Sequence, residues 1–398
     1  MDKMNYEKLS DQEAKDYFNK NYNISYYDEN LPTPSNELLF MHYISSAIIY
    51  AVAMLFILFN PFYTSKFANY DITAIVLTVY LGYLLIAPIF LFTFKSKTVY
   101  ASHSIEIMNY VLKLIKRQGL KKNANSAEFL QWLTPTYKQK QSLILYFIKF
   151  FFGPQLLLWS FQHYQQIISQ WNKLIYANQI MKGHRSDIFS LINYRQLVFL
   201  LFVQIMYFID CFTYAIGYCT ELTILRNRIR TVESSAIGLL FCLACYPPFS
   251  SATASIIRWE HNDSVFNIIN NSTSIINWIC YFIAALLIFI YVAASVALFT
   301  KASNLTNRGT VSIFPYNIVR HPAYATKISL WWLASIIILK NLLLNGKYVI
   351  TVLYILGAIT WTFIYYMRAI TEERHLLLDP DYRAYIRKVK YKFIPFIW

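Results

Sequence analysis

Long apolar runs separated by short polar stretches dominate this chain, and they recur at a length that suits a bilayer, which takes roughly 20 residues as a helix. Eight stand out: Leu38–Phe59, Ile72–Phe94, Leu143–Phe161, Leu197–Gly217, Ala236–Ile257, Ile275–Phe299, Ile328–Leu344 and Tyr348–Met367. The third holds the pair Gly153-Pro154 and the fifth the pair Pro247-Pro248. Both are expected to be kinked or re-entrant, with freed backbone groups that need partners inside the protein. The pattern predicts an all-α, polytopic helical membrane protein of about eight transmembrane helices. It divides the chain into a polar segment 1–37, a transmembrane region 38–299 of unplaced function with a basic loop 95–141, and a region 300–398 built around the last hairpin. Met1–Glu37 has no short apolar stretch before a small-residue cleavage site, so the first run is expected to stay as an anchor.

Composition agrees with the pattern. Hydrophobic residues make up 57% and charged residues 14% of the chain, with a mean hydropathy of +0.35, which is the balance of a membrane protein. Orientation follows from the basic residues. Between the second and third runs stand Lys95, Lys97, Lys113, Lys116, Arg117, Lys121, Lys122, Lys138 and Lys140 against Glu106 and Glu128, whereas the loop before the second run has only Lys66. That loop is expected in the cytoplasm. Counting eight crossings then places both termini, the loop Lys301–Tyr324 and the basic tail on the same side. The stretch His163–Arg195 disagrees, because Lys173, Lys182, Arg185 and Arg195 would face outward. An extra half-membrane element near Gly153-Pro154 would reconcile it.

The net charge of +15 lies on loops beside membrane spans, so anionic headgroups account for it. Nothing resembles a nucleic-acid-binding module. Within the basic loop, Ile105, Met108, Leu112 and Ile115 share one helical face and Lys113, Lys116 and Arg117 another, as in a helix lying in the interface. The five cysteines fall in the apolar regions, which argues against a disulfide framework, and Cys242-x-x-Cys245 reads as packing. No histidine spacing suits a metal, and no glycine-rich phosphate loop occurs.

The chemistry concentrates around the last two runs. Asn317-Ile318-Val319-Arg320-His321-Pro322-Ala323-Tyr324 precedes them, a turn at Asn345-Gly346-Lys347 joins them, and Arg368-x-x-x-Glu372-Glu373, Tyr382-x-x-Tyr385 and Phe393-Ile394-Pro395 follow. Ionisable groups placed beside hydrocarbon are costly, so such clusters read as a site. In order and spacing they resemble the isoprenylcysteine carboxyl methyltransferase and phospholipid methyltransferase families over roughly residues 300–398. The resemblance implies that S-adenosylmethionine is enclosed by the loop before the hairpin and the tail after it, while a lipid or lipid-modified acceptor arrives from the bilayer. It implies catalytic roles for Arg320 and Glu372, and cofactor contacts for Tyr316, Val319, His321, Pro322, Tyr324 and Glu373. This chain departs from the family's glycines at Phe314-Pro315-Tyr316 and at Thr326.

The residue types suit methyl transfer, in which the protein mainly positions two reactants in a water-poor site. A carboxylate accepts hydrogen bonds from ribose hydroxyls and complements a sulfonium. An arginine offers a planar fork for a carboxylate. Glu372 and Glu373 point about 100° apart on a helix, so the pair is expected to divide its work. Two other readings compete. The tail Val389–Trp398 and His321-Pro322-x-Tyr324 also resemble membrane sterol reductases that use NADPH, although Thr326-Lys327 stands where those have Gly-Asp. The third is a non-catalytic membrane scaffold.

Overall fold

A computed structural model describes residues 10–14, 16, 32–66, 71–116, 133–183, 188–221, 225–257 and 275–397. Most of the polar segment 1–37 and the middle of the loop 95–141 lie outside the described residues. The helices are α1 (Asn36–Phe59), α2 (Pro61–Lys66), α3 (Ile72–Phe94), α4 (His103–Lys116), α5 (Tyr137–Gly183), α6 (Ile188–Cys219), α7 (Ala236–Leu243), α8 (Phe249–Ile257), α9 (Ile275–Leu298), α10 (Pro322–Leu344), α11 (Tyr348–Leu376) and α12 (Pro380–Lys388). Seven of them, α1, α3, α5, α6, α9, α10 and α11, are long and apolar enough to cross a membrane. The only strands among the described residues are β1 (Thr231–Val232) and β2 (Thr306–Asn307), an antiparallel pair.

Side-chain caps fix several helix starts. Ser35 accepts from Leu38 N–H, Asp71 from Ala74 N–H and Ser235 from Gly238 N–H, each satisfying an orphan donor of a first turn. Large apolar side chains on the rim, such as Leu85, Ile256 and Val349, are more than two-thirds exposed, as expected where hydrocarbon is the solvent. The interior has three main clusters. Phe152, Ile148, Tyr218 and Val232 join α5, α6 and β1; Val203, Ile288 and Leu330 join α6, α9 and α10; Trp331, Trp361 and Tyr365 join α10 and α11.

The two breaker pairs behave differently. Gly153-Pro154 interrupts nothing: α5 is continuous for 47 residues, roughly 70 Å at 1.5 Å per residue. No half-membrane element exists there. Instead α5 continues past Phe161, and α6 begins at Ile188 rather than Leu197, so the described part of His163–Arg195 is a helical hairpin and not a loop. His163 Nδ1 lies 2.7 Å from Gln204 Oε1, which levels this part of α5 with the middle of α6. The fifth run does break, into α7 and α8 with Pro247-Pro248 between them. β1–β2 pairing sets the start of α7 beside the end of α9. From there the run lies against α11 as a broken helix, with Phe241 beside Phe363 and Ala254 in one cluster with Ala358 and Trp361.

α4 forms where the basic loop's periodicity predicts. It lays Ser104 and Ile107 on the bundle, with His103 Nδ1 2.9 Å from Ser142 Oγ of α5, and leaves Leu112 and Ile115 exposed. All five cysteines are free, and the described residues hold no group of metal-ligating side chains. Asp11 pairs with Arg387 of α12 at 2.6 Å, which puts the described N-terminal residues at the same end as the tail.

Candidate functional site

The loop from Ala302 to His321 is fastened to the elements around it. Gly217 of α6 lets it approach closely, since a Cβ there would overlap the carbonyl oxygen of Ala302. Tyr218 Oη accepts from Asn304 N–H at 2.7 Å, and Arg308 Nη1 donates to the carbonyls of Thr220 and Asn227 at 3.0 and 2.9 Å. Gly309 takes φ +89, a conformation that favours glycine, with the Arg230 guanidinium packed where a side chain would stand. That guanidinium pairs with Asp379 and Asp381 at 2.7 and 2.8 Å. Asp379 also accepts from Asn307 Nδ2 and from Asp381 N–H, so one carboxylate caps α12 and holds the loop.

The end of the loop is zipped to the tail. Arg320 N–H donates to Tyr391 O and His321 N–H to Lys392 O, both at 2.9 Å, while Tyr385 Oη donates to Tyr316 O at 2.7 Å. Glu373, at 5% exposure, is where the side chains converge: Arg320 Nη1 and Lys392 Nζ lie at 2.9 Å and His321 Nε2 at 3.3 Å. Arg320 Nη2 donates to Lys390 O at 3.0 Å, so its fork grips carboxylate and tail together. The His321 ring is stacked between Tyr324 and Phe393, with centroids 5.6 and 5.5 Å away.

These contacts enclose a cavity of about 120 Å³ whose walls include Tyr214, Tyr316, Arg320, His321, Tyr324 and Glu372. Small-molecule sites usually offer roughly 300–1,000 Å³, so this one is nearly closed. Glu372 is the only carboxylate on its wall, and Tyr324 Oη donates to Glu372 Oε2 at 2.8 Å. Burial pushes the Tyr316 phenol well up, with Glu372 and Tyr385 adding to it; burial likewise raises Tyr382 and Tyr385. The phenols are therefore donors at neutral pH.

Of the residues expected from sequence, Tyr316, Arg320, His321, Tyr324 and Glu372 meet at one cavity. The other three stand outside its wall. Val319 is buried in packing, Pro322 opens α10 as its first residue, and Glu373 turns away into the clamp. Sequence reasoning included Arg368 in its motif but missed the other two charges of the layer beneath, Asp210 and Lys327. One helical turn towards the membrane interior from Tyr214, Tyr324 and Glu372 stand Asp210, Lys327 and Arg368. Arg368 donates to Asn304 Oδ1 at 2.6 Å and to Tyr246 Oη at 3.3 Å, and lies over the Tyr246, Tyr324 and Tyr365 rings. Asp210 accepts from Tyr291 Oη at 2.7 Å and from Ser295 Oγ, and Lys327 Nζ sits over the rings of Tyr291 and Tyr365. For Asp210 the signal was available, since it is a lone charge inside the apolar run Leu197–Gly217, whereas Lys327 and Arg368 sit at the edges of theirs.

No family model, curated protein or solved structure matches this chain.

The donor set fits S-adenosylmethionine in its chemistry. Glu372 offers a carboxylate to ribose hydroxyls or to positive charge, and Arg320 a guanidinium to a carboxylate. The small volume means that a ligand of this size needs the loop and tail to separate, against the Glu373 cluster and the backbone bonds of Arg320 and His321 to Tyr391 and Lys392.

Proposed function

We propose that the chain is an integral membrane methyltransferase that uses S-adenosylmethionine to methylate a lipid or lipid-modified acceptor, of the isoprenylcysteine kind, at the cytoplasmic face. The observation that carries this reading is the single wall carboxylate, Glu372, hydrogen-bonded to Tyr324 where the final hairpin meets the loop and tail. Bound there, the cofactor supplies an electrophilic methyl on sulfonium sulfur. Glu372 binds the donor; Arg320 holds the wall and presents its guanidinium to a ligand carboxylate; Tyr316, Tyr382 and Tyr385 exclude water. The spans α10 and α11 give an apolar acceptor a path from the bilayer to the cavity.

The test is ligand stabilisation of the detergent-solubilised protein. S-adenosylmethionine or its demethylated product is expected to raise the unfolding midpoint, because a ligand that binds only the native state adds about 2.7 kcal/mol at a hundredfold excess over its dissociation constant. NADPH is expected to have no effect. Stabilisation by NADPH alone reverses the assignment in favour of the reductase, and silence with both ligands favours the scaffold.

A further inference from the structure

At the opposite end of the helices that hold the cavity, α6 and α9 part to form a cleft of about 590 Å³. Its rim is Tyr194 and Arg195, just before the apolar run of α6, and Trp278 near the start of α9; its depth is lined by Phe199, Phe202, Tyr281, Phe282 and Ala285. The Arg195 guanidinium carbon lies over the Trp278 indole, 4.4 Å from the ring centre, and Arg195 has no carboxylate within ion-pair distance among the described residues. A tryptophan, a tyrosine and an arginine at the start of two apolar runs mark headgroup depth. Phe199, Phe202, Phe282 and Ala285 come four to seven residues further along, roughly 6–10 Å deeper, at the level of acyl chains.

We propose that this cleft is a binding site for an anionic phospholipid, with its phosphate on Arg195 and the upper part of one acyl chain in the slot between Phe199, Phe202 and Phe282. The occupant follows from the two ends of the cleft. Its floor is apolar and opens beside two lipid-facing helices, so hydrocarbon fills it. Its rim carries one exposed cation whose ring partner supplies no charge, so the headgroup it favours is negative. The site is separate from the proposed active site, and it stands whether or not the chain transfers methyl groups.

The test is lipid-dependent stability of the full chain in mixed micelles of constant detergent content. Phosphatidylglycerol is expected to raise the unfolding midpoint more than phosphatidylcholine of the same chains, with about fivefold tighter apparent binding, the scale of one arginine at an anionic surface. Arg195→Gln should remove that preference while leaving the response to phosphatidylcholine. Ala285→Trp, which fills the slot, should reduce binding of both lipids. Inorganic phosphate alone should do nothing. An unchanged preference for phosphatidylglycerol in Arg195→Gln assigns it to the basic loops and overturns the proposal, as does an equal response to the two lipids or stabilisation by phosphate.

Discussion

Glu372 and Glu373 are neighbours with different surroundings. Glu372 faces the cavity with one phenol as partner, whereas Glu373 is surrounded by Arg320, His321 and Lys392. Glu372→Gln is therefore expected to abolish most of the stabilisation by S-adenosylmethionine while the unliganded midpoint stays close to the parent's. Glu373→Gln should do the reverse first: removing one partner of a buried ionic cluster costs about 3 kcal/mol of folding stability, read in the unliganded protein, with any loss of ligand binding following from it. Equal behaviour of the two variants would dissolve this division. Arg320→Lys should weaken both properties, since a point charge cannot reach Glu373 and the Lys390 carbonyl together as the fork does. At this scale the sequence revealed the residue types, because polar groups bracketing an apolar hairpin are conspicuous. It did not reveal that Glu373 sits in an ionic cluster off the cavity wall, since that depends on Lys392 folding back from the tail. Nor did it single out Asp210 or Lys327, which come from separate helices and meet the site layer only through packing.

Helix existence was legible because a crossing segment must satisfy its backbone internally and therefore has to be a long apolar helix. What the breakers do was not. Pro154 sits within α5 without ending it, while Pro247-Pro248 ends α7, and the difference lies in the length of uninterrupted helix on each side and in what packs around it. The extension of α5 beyond Phe161 was hidden because Gln165, Gln166, Gln170 and Asn172 interleave there with Ile168, Trp171 and Ile175, so the average hydropathy falls before the helix ends. The junction of α4, α5 and α6 leads to a prediction of its own. Burial holds the His103 imidazole down at about 4, against the pull of Glu221. Burial pushes Glu221 up, but Lys149, Arg308, His103 and Arg228 outweigh it and hold its carboxyl well below the usual range. Both native states bind fewer protons than the unfolded chain, so both contributions are present above the unfolded pKa and are lost as pH falls. His103 acts between about 6.5 and 4, and Glu221 below its ordinary range. The unfolding midpoint should fall on acidification through that window, and His103→Gln should make the slope shallower there. A slope unchanged by the substitution would remove His103 from the account.

Across the whole molecule, the ends of the helices sort into two groups. The start of α10, the ends of α9 and α11, β1, β2, α12 and the N-terminal residues around Asp11 all gather at the cavity end, while the α10–α11 turn at Gly346 and the Arg195–Trp278 cleft lie at the other. Seven unbroken crossings alone would leave the two termini on opposite faces, whereas the ion pair of Asp11 with Arg387 puts them at one end, so an eighth crossing through the broken pair α7–α8 is expected. The excess of lysine and arginine in the loop 95–141 and in the tail is the ground for proposing that the cavity end faces the cytoplasm. Single cysteines at positions 10 and 390, in a chain with its five native cysteines replaced, should therefore react with a membrane-impermeant maleimide only after the membrane is permeabilised. A cysteine at position 346 should react in intact cells. Labelling of 10 and 390 from opposite faces would mean that α7–α8 does not cross and would separate the N-terminal residues from α12. Labelling of both from outside would keep the eight crossings but turn the cavity, and the methyl transfer proposed for it, to the face that lacks a cytoplasmic supply of S-adenosylmethionine.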